Sequence, residues 1–459
     1  MKTRYILFIG MVFALSACNK EAFLDKKPYD KITIDNVFTN YNTFKSAVNG
    51  EYNILQSPYY YGSYFVLLPD LMSDNVKNNN YYLFTDIDKY QTQPDNRMVR
   101  KTWDEMSASI AQTSILIRKA KGFDFGGDQD KANDLIGQLY VARGLTYFDM
   151  QRMFAQPYNF TSDASHLGVP IVDEQKVGIE IVNPARSTTA EVYSKIIDDF
   201  NKGISLMADD APSPYYLNKY SAKALLARIY LYMGNWSEAN KLAGEVINSG
   251  KYSLISNADY VASWTKDHTT ESIFSIVNTY TDNSGYSSLP YYYGRPRLLA
   301  TNDLYNLLDS NDVRKQLIVN NKALKYPAYS TKDNNNAIIR LSEVYLIKAE
   351  ALVHMGGTAN ETEARNLVNA IRLRANPTAA PYTESGDALI QAILSEKRKE
   401  LMFEGHRLFD LTRNKMNFIK YSGPTETPIT IAYPNNLTIF PIPLTEMDAN
   451  PNMVQNPGY

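Results

Sequence analysis

Cysteine is almost missing from this chain: Cys18 is the only one in 459 residues. A single thiol excludes an intramolecular disulfide and any cysteine-based metal cluster. Histidine is scarce as well, with four residues at positions 166, 268, 354 and 406. None forms an HExxH motif or a close pair, so neither a metal site nor a cofactor is expected. No excess charge of one sign exists. The 47 Lys and Arg against 49 Asp and Glu leave a formal net charge of −2, too little cation to neutralise nucleic-acid phosphates. Beyond the N-terminus no stretch approaches about 18 uninterrupted apolar residues, so no membrane-crossing helix is expected. GxSxG, P-loop and dinucleotide fingerprints are absent. Tyrosine is what the chain has in plenty, 35 residues against 18 Phe and 3 Trp. Aromatics at 12% argue against disorder.

The N-terminus carries the clearest short signal. Lys2 and Arg4 precede an apolar run from Tyr5 to Leu15, followed by Ser16, Ala17 and Cys18. A basic start, an apolar centre and small residues at the cut describe an export signal, residues 1–17. LSAC resembles the bacterial lipoprotein box, in which the cysteine is lipidated and several acyl chains anchor the protein firmly. Residues 18–30 are polar and read as a lipidated tether.

Helical periodicity dominates the rest. Apolar residues at spacings of three and four predict helices over Tyr41–Ile54, Trp103–Lys121, Asp130–Arg152, Thr189–Leu206, Lys219–Met233, Trp236–Ser249, Glu343–Met355, Glu361–Arg374 and Ala388–Glu404. Strand signals are short, at 271–278 and 437–442. Residues 56–96, 157–187, 279–300 and 325–337 are long, Asn-, Tyr-, Gly- and Pro-rich stretches, expected to be ordered loops because tyrosine packs. In residues 224–246, Ala227, Tyr230, Gly234, Trp236 and Ala239 match the tetratricopeptide helix–turn–helix, with weaker echoes at 140–154 and 343–357. Trp103 and Trp236 fall in helix motifs and are expected in the core. The fold class is therefore mainly α: a tetratricopeptide-like scaffold of helix pairs carrying a long-loop, small-strand face. Residues 31–459 are expected to form a single domain, with parts at about 31–255 and 256–459.

Several segments, in order along the chain, resemble the SusD/RagB family of Bacteroidetes surface lipoproteins. Phe23-Leu24-Asp25 with Pro28 is similar to the family's opening. The helix from Trp103 and the stretch Asp134–Tyr147, with Arg143, resemble two family helices. Ser109 and Thr113 stand where aromatic and Asn residues are common, and Gly144 replaces the usual Ala. Arg340 through Glu350, Ile371–Arg374 and the long stretch Ile393–Arg413 resemble later motifs, and Phe440–Pro443 through Gln455–Tyr459 resembles the family terminus. The resemblance implies a surface-exposed lipoprotein of the outer membrane, without catalytic activity. It would bind glycan, or alternatively peptide, and deliver it to a SusC-like TonB-dependent transporter barrel.

Two clusters supply candidate ligand contacts, because sugar C–H faces stack on aromatic rings while sugar hydroxyls need amide, carboxylate or guanidinium partners. From the first cluster come Tyr60, Tyr61, Asp74, Asn75, Asn79, Tyr81 and Tyr82. From the second come Trp264, Tyr286, Tyr291, Tyr292, Tyr293 and Arg295. Glu396, Glu400 and Glu404 lie at i, i+4 and i+8 and would share one helix face. A glycosidase would need two such carboxylates in an open cleft. The cations interspersed there (Arg398, His406, Arg407 and Arg413) instead predict a structural ion-pair network. Glu343 and Glu350 with Arg340 read the same way. The run from Lys332 to Asn336 lacks calcium-loop spacing and predicts a solvated turn.

Overall fold

The computed structural model describes residues 37–209 and 213–459. The export signal, Cys18, the tether and the Phe23–Pro28 motif lie outside the described residues. Helices carry the architecture: α1 (Tyr41–Gln56), α2 (Tyr64–Met72), α3 (Arg97–Ala120), α4 (Gln129–Phe154), α5 (Thr189–Leu206), α6 (Lys219–Met233), α7 (Trp236–Asn248), α8 (Leu341–Met355), α9 (Thr358–Ala375), α10 (Gly386–Glu400) and α11 (Arg407–Arg413). Among the described residues strands occur only as antiparallel pairs. These are β1 (Val76–Asn78) with β5 (Leu298–Ala300), β2 (Leu167–Pro170) with β3 (Arg186–Thr188), β4 (Ser272–Ile276) with β8 (Asn336–Arg340), β6 (Ile318–Val319) with β7 (Lys322–Ala323), and β9 (Phe418–Ser422) with β10 (Thr427–Ile431).

Local chemistry sets the helix ends. Asn40 starts α1 through a reciprocal capping box with Thr43, and Thr188 with Glu191 does the same for α5. Gly234, at φ +75°, stops α6 in the left-handed conformation, and α7 returns antiparallel two residues later. Ala227 and Ala239 are fully buried where these helices approach, as the tetratricopeptide pattern requires. α8 and α9 repeat the arrangement with Ala349 and Ala364 buried. α4 pairs with α5 across the long insertion 155–188. From Leu135 to Phe154 α4 is buried on every side. Its Arg143 is sealed inside by two hydrogen bonds to Asp199, at 2.8 and 2.7 Å, and one to Glu174 at 2.9 Å. The main core runs from Leu55 to Met453, with satellite cores under α1 and between α8, α9 and α10.

The structure corrects several expectations. α2 lies inside a stretch read as loop. All nine of its residues are buried, so no polar face produces a helical period, and Pro69 sits within it. Residues 437–442 form no strand. The Phe440 N–H donates to Met153 O, the Ile442 N–H donates to Gln455, and Asn456 donates to Phe440 O. Pro441 and Pro443 have no N–H for a ladder. Trp236 is half-buried rather than in the core, stacked flat on His354 at 4.0 Å. The 332–336 run is no solvated turn. Asn334 takes the Ala328 N–H and donates to Trp264 O, Asn335 takes the Asn278 N–H, and Asn336 donates to Tyr61 O.

Candidate functional site

The pairing of β1 with β5 joins the two tyrosine-rich regions. Val76, Lys77 and Asn78 lie opposite Ala300, Leu299 and Leu298. The Asn79 N–H extends the ladder to Arg297 O at 2.8 Å, and its side-chain amide donates to Pro296 O at 2.6 Å. Asn78 then folds the chain back. Its side chain accepts from the Tyr81 N–H and donates to Tyr81 O, closing a turn that lifts Tyr81 and Tyr82 to the surface.

A continuous aromatic and cationic patch results. The Arg297 guanidinium lies 4.0 Å above the Tyr81 ring and donates to the Tyr291 hydroxyl at 3.1 Å. Tyr82 packs edge-on against Tyr81 at 5.3 Å, and Tyr286 edge-on against Tyr291 at 5.2 Å. Tyr329 lies nearly parallel to Tyr291 at 6.2 Å, and Arg295 donates to the Tyr329 hydroxyl. Lys332 caps the Tyr286 ring at 4.9 Å. A side chain at Gly294 would meet Tyr329 at 2.9 Å, so glycine is what admits that ring. Tyr82 and Tyr286 remain 76% and 73% exposed, Tyr286 with Lys332 over one face of its ring. Asn79, Tyr81, Tyr82, Tyr286, Tyr291 and Arg295 of the predicted residues therefore come together. Tyr329 and Lys332 were not picked out because they reach the patch from a distant loop.

The remaining candidates lie elsewhere. In the short helix Leu289–Gly294 successive residues point about 100° apart. Only Tyr291 meets the patch arginines, and it does so as a buried ring beneath them, 8% exposed. Tyr292 is buried against Phe84 at 5.2 Å, and Tyr293 is buried against Tyr326, its hydroxyl donating to Asp70 at 2.9 Å. Tyr60 and Tyr61 stack on each other in the core, both hydroxyls donating to Asp149. Asp74 is held by Arg407 through two 2.8 Å hydrogen bonds, and Asn75 accepts from Arg398 at 2.7 Å. Trp264 is half-buried and lines a separate cavity of about 50 Å³, with Lys325 4.5 Å from its ring.

The acidic cluster is buried, and Glu400 and Glu404 are held ionised by the cations around them. Its partners are not the nearby cations in sequence but Arg314, Arg340, Arg374 and Lys325, brought from other elements. Arg314 meets Glu396 at 2.6 Å, Arg340 meets Glu400 at 2.7 Å and Glu404 at 2.9 Å, Arg374 meets Glu400 at 2.8 Å, and Lys325 meets Glu404 at 2.6 Å. Burial pushes the Glu404 carboxyl up, but Arg340 and Lys325 outweigh it and hold the carboxyl at about 2. α10 ends at Glu400, so Glu404 sits in the following turn rather than on a shared helix face. Arg398 and Arg407 serve Asp74, while Arg413 takes Glu350 and Asp410. Arg228, not Arg340, takes Glu343. His406 is kept neutral by burial, which lowers it to about 4 against the pull of Glu343. These carboxylates are engaged inside the scaffold and face no open cleft.

The family model described as the SusD family matches residues 300–459, and one described as starch-binding, associating with the outer membrane, matches residues 22–231. A SusD superfamily structure from Bacteroides vulgatus is 30% identical, with 92% of this chain and 100% of that chain covered and a TM-score of 0.85. The chain belongs to the SusD/RagB family. A second B. vulgatus structure, described as a putative sugar binding protein, is also 30% identical, with 92% and 99% covered and a TM-score of 0.83. SusD-like protein P2 of Formosa agariphila is 24% identical over the whole of both chains. The mainly helical, tetratricopeptide-like architecture is thus that of the SusD fold, and the tyrosine patch is mounted on it.

Proposed function

We propose that this protein is a non-catalytic, lipid-anchored binding protein of the outer-membrane surface. It captures glycan on the patch around Tyr81, Tyr286 and Tyr291 and delivers it to a SusC-like TonB-dependent transporter. Cys18 would carry the lipid, residues 18–30 the tether, and residues 31–459 a single binding domain. The observation that carries the reading is the patch itself. Open tyrosine rings offer stacking faces for sugar C–H surfaces, and Asn79, Arg295 and Arg297 offer polar partners beside them. The starch-binding description of the family model and the sugar-binding description of one B. vulgatus relative support the same reading. Stacking tolerates many sugars, while hydrogen bonds select among them, and exchange of water for protein bonds keeps the net gain per hydroxyl small.

The test is retention of the protein by an array of soluble polysaccharides, with glycan masses measured before and after. Retention with unchanged masses, together with co-purification of a transporter barrel, is the expected result. Shortened glycan would establish a hydrolase instead. Retention of peptides with no glycan bound would establish the peptide alternative.

A further inference from the structure

The cations of the patch differ from most of the arginines buried in the scaffold, Arg186 with its carbonyl and Asn456 partners being an exception. Buried Arg143, Arg228, Arg314, Arg340 and Arg413 each hold a carboxylate. Arg295, Arg297 and Lys332 form no ion pair with any carboxylate among the described residues. Their ring contacts are to phenols, and the Lys332 Nζ also donates to Ser330 O at 3.0 Å. Arg297 lies over Tyr81 and 5.3 Å from the Tyr291 ring centre, Arg295 over Tyr291 and Tyr329, and Lys332 over Tyr286. The Arg297 Nε is buried with no hydrogen-bond partner among the described residues. Arg295 is shifted upward, by Tyr329 first and then by Tyr291. Cation–π contacts offset part of the cost of crowding three positive charges on one face, but they supply no counter-charge.

We infer that the ligand of this patch is an acidic glycan, one bearing carboxylate or sulfate groups, whose anions lie between Arg295, Arg297 and Lys332 while its rings stack on Tyr82 and Tyr286. The guanidinium fork matches a carboxylate or sulfate through paired N–H donors, a geometry that a neutral hydroxyl does not reproduce. The inference rests on the glycan-binding reading and names the class of glycan.

The experiment measures affinity of the full-length, detergent-solubilised protein for polygalacturonate, alginate and chondroitin sulfate, and for neutral amylopectin, laminarin and galactomannan. At least one acidic polymer is expected to bind and the neutral ones are not. Affinity should fall at least about tenfold between 0.05 and 1 M NaCl, since the screening length shrinks to about 3 Å at 1 M. Arg295→Gln with Arg297→Gln should weaken binding about tenfold or more. Lys241→Gln, remote from the patch, should change nothing, and circular dichroism verifies that each variant is folded. Salt-insensitive binding of a neutral polymer, lost in Tyr82→Ala but kept in the arginine variant, would overturn the acidic ligand and leave glycan capture standing. Acidic binding that survives the arginine variant would also overturn it. Peptides retained with no polysaccharide bound would remove the glycan reading and this inference together.

Discussion

Tyr291, Tyr292 and Tyr293 are adjacent, chemically identical and buried, yet Tyr291 underlies the patch arginines while Tyr292 packs on Phe84 and Tyr293 on Tyr326. Replacing them separates the roles. Tyr82→Ala and Tyr286→Ala remove largely exposed rings whose only ring neighbours are Tyr81 and Tyr291 at the surface of the patch. Each should weaken glycan binding about tenfold while unfolding free energy stays within about 0.5 kcal/mol of the parent, read by titration and urea denaturation. Tyr293→Phe should do the reverse. It strips the hydrogen bond from buried Asp70 and should cost about 1–3 kcal/mol with glycan affinity unchanged. Glu51 gives a pH signature. Burial is the main cause that raises its carboxyl to about 8, against the hydrogen bond donated by Ser109. The unfolded carboxyl loses its proton near 4.5 and the folded one near 8. The folded state thus holds the extra proton across that window, and stability falls as pH rises through it. Glu51→Gln removes that dependence. The variant's thermal midpoint should gain on the parent from pH 5 to pH 8, and an equal shift at both pH values would contradict the assignment.

At the scale of elements, amphipathic helices were legible because a half-exposed helix must alternate polar and apolar faces. α5 and α6 begin and end where periodicity and capping residues put them. α2 was illegible for the opposite reason, since complete burial leaves no alternation to read. Strand pairing was equally hidden. Nothing local in Val76–Asn78 names Leu298–Ala300 as its partner, yet that pair builds the patch. Tyrosine clustering marked the two segments that this strand pair joins, and only three-dimensional placement separated Tyr81, Tyr286 and Tyr291 from Tyr60, Tyr61 and Tyr292. The acidic face behaved similarly. Its structural role was readable from the interspersed cations, but its true partners came from β8, α9 and residues 313–325. Arg340 joins Glu400 and Glu404. Arg340→Ala would leave both carboxylates buried short of charge and should cost about 3–5 kcal/mol in denaturant unfolding. A loss below about 1 kcal/mol would show that the remaining cations suffice.

For the whole molecule, helix pairs make a stiff frame, and segments 76–82, 285–297 and 328–332, built of short strand, helix and turn, lay side chains on it as one surface. Such a division suits a capture protein, because stacking residues held in place before the ligand arrives lose little freedom on binding. The most direct measurement is the affinity of one retained polysaccharide for the parent protein and for the Tyr82→Ala/Tyr286→Ala double variant, with intact glycan mass recorded throughout. Binding by the parent, loss of at least about tenfold in the variant and unchanged glycan mass are the predicted results. Equal affinity in the two proteins would contradict the placement of the site.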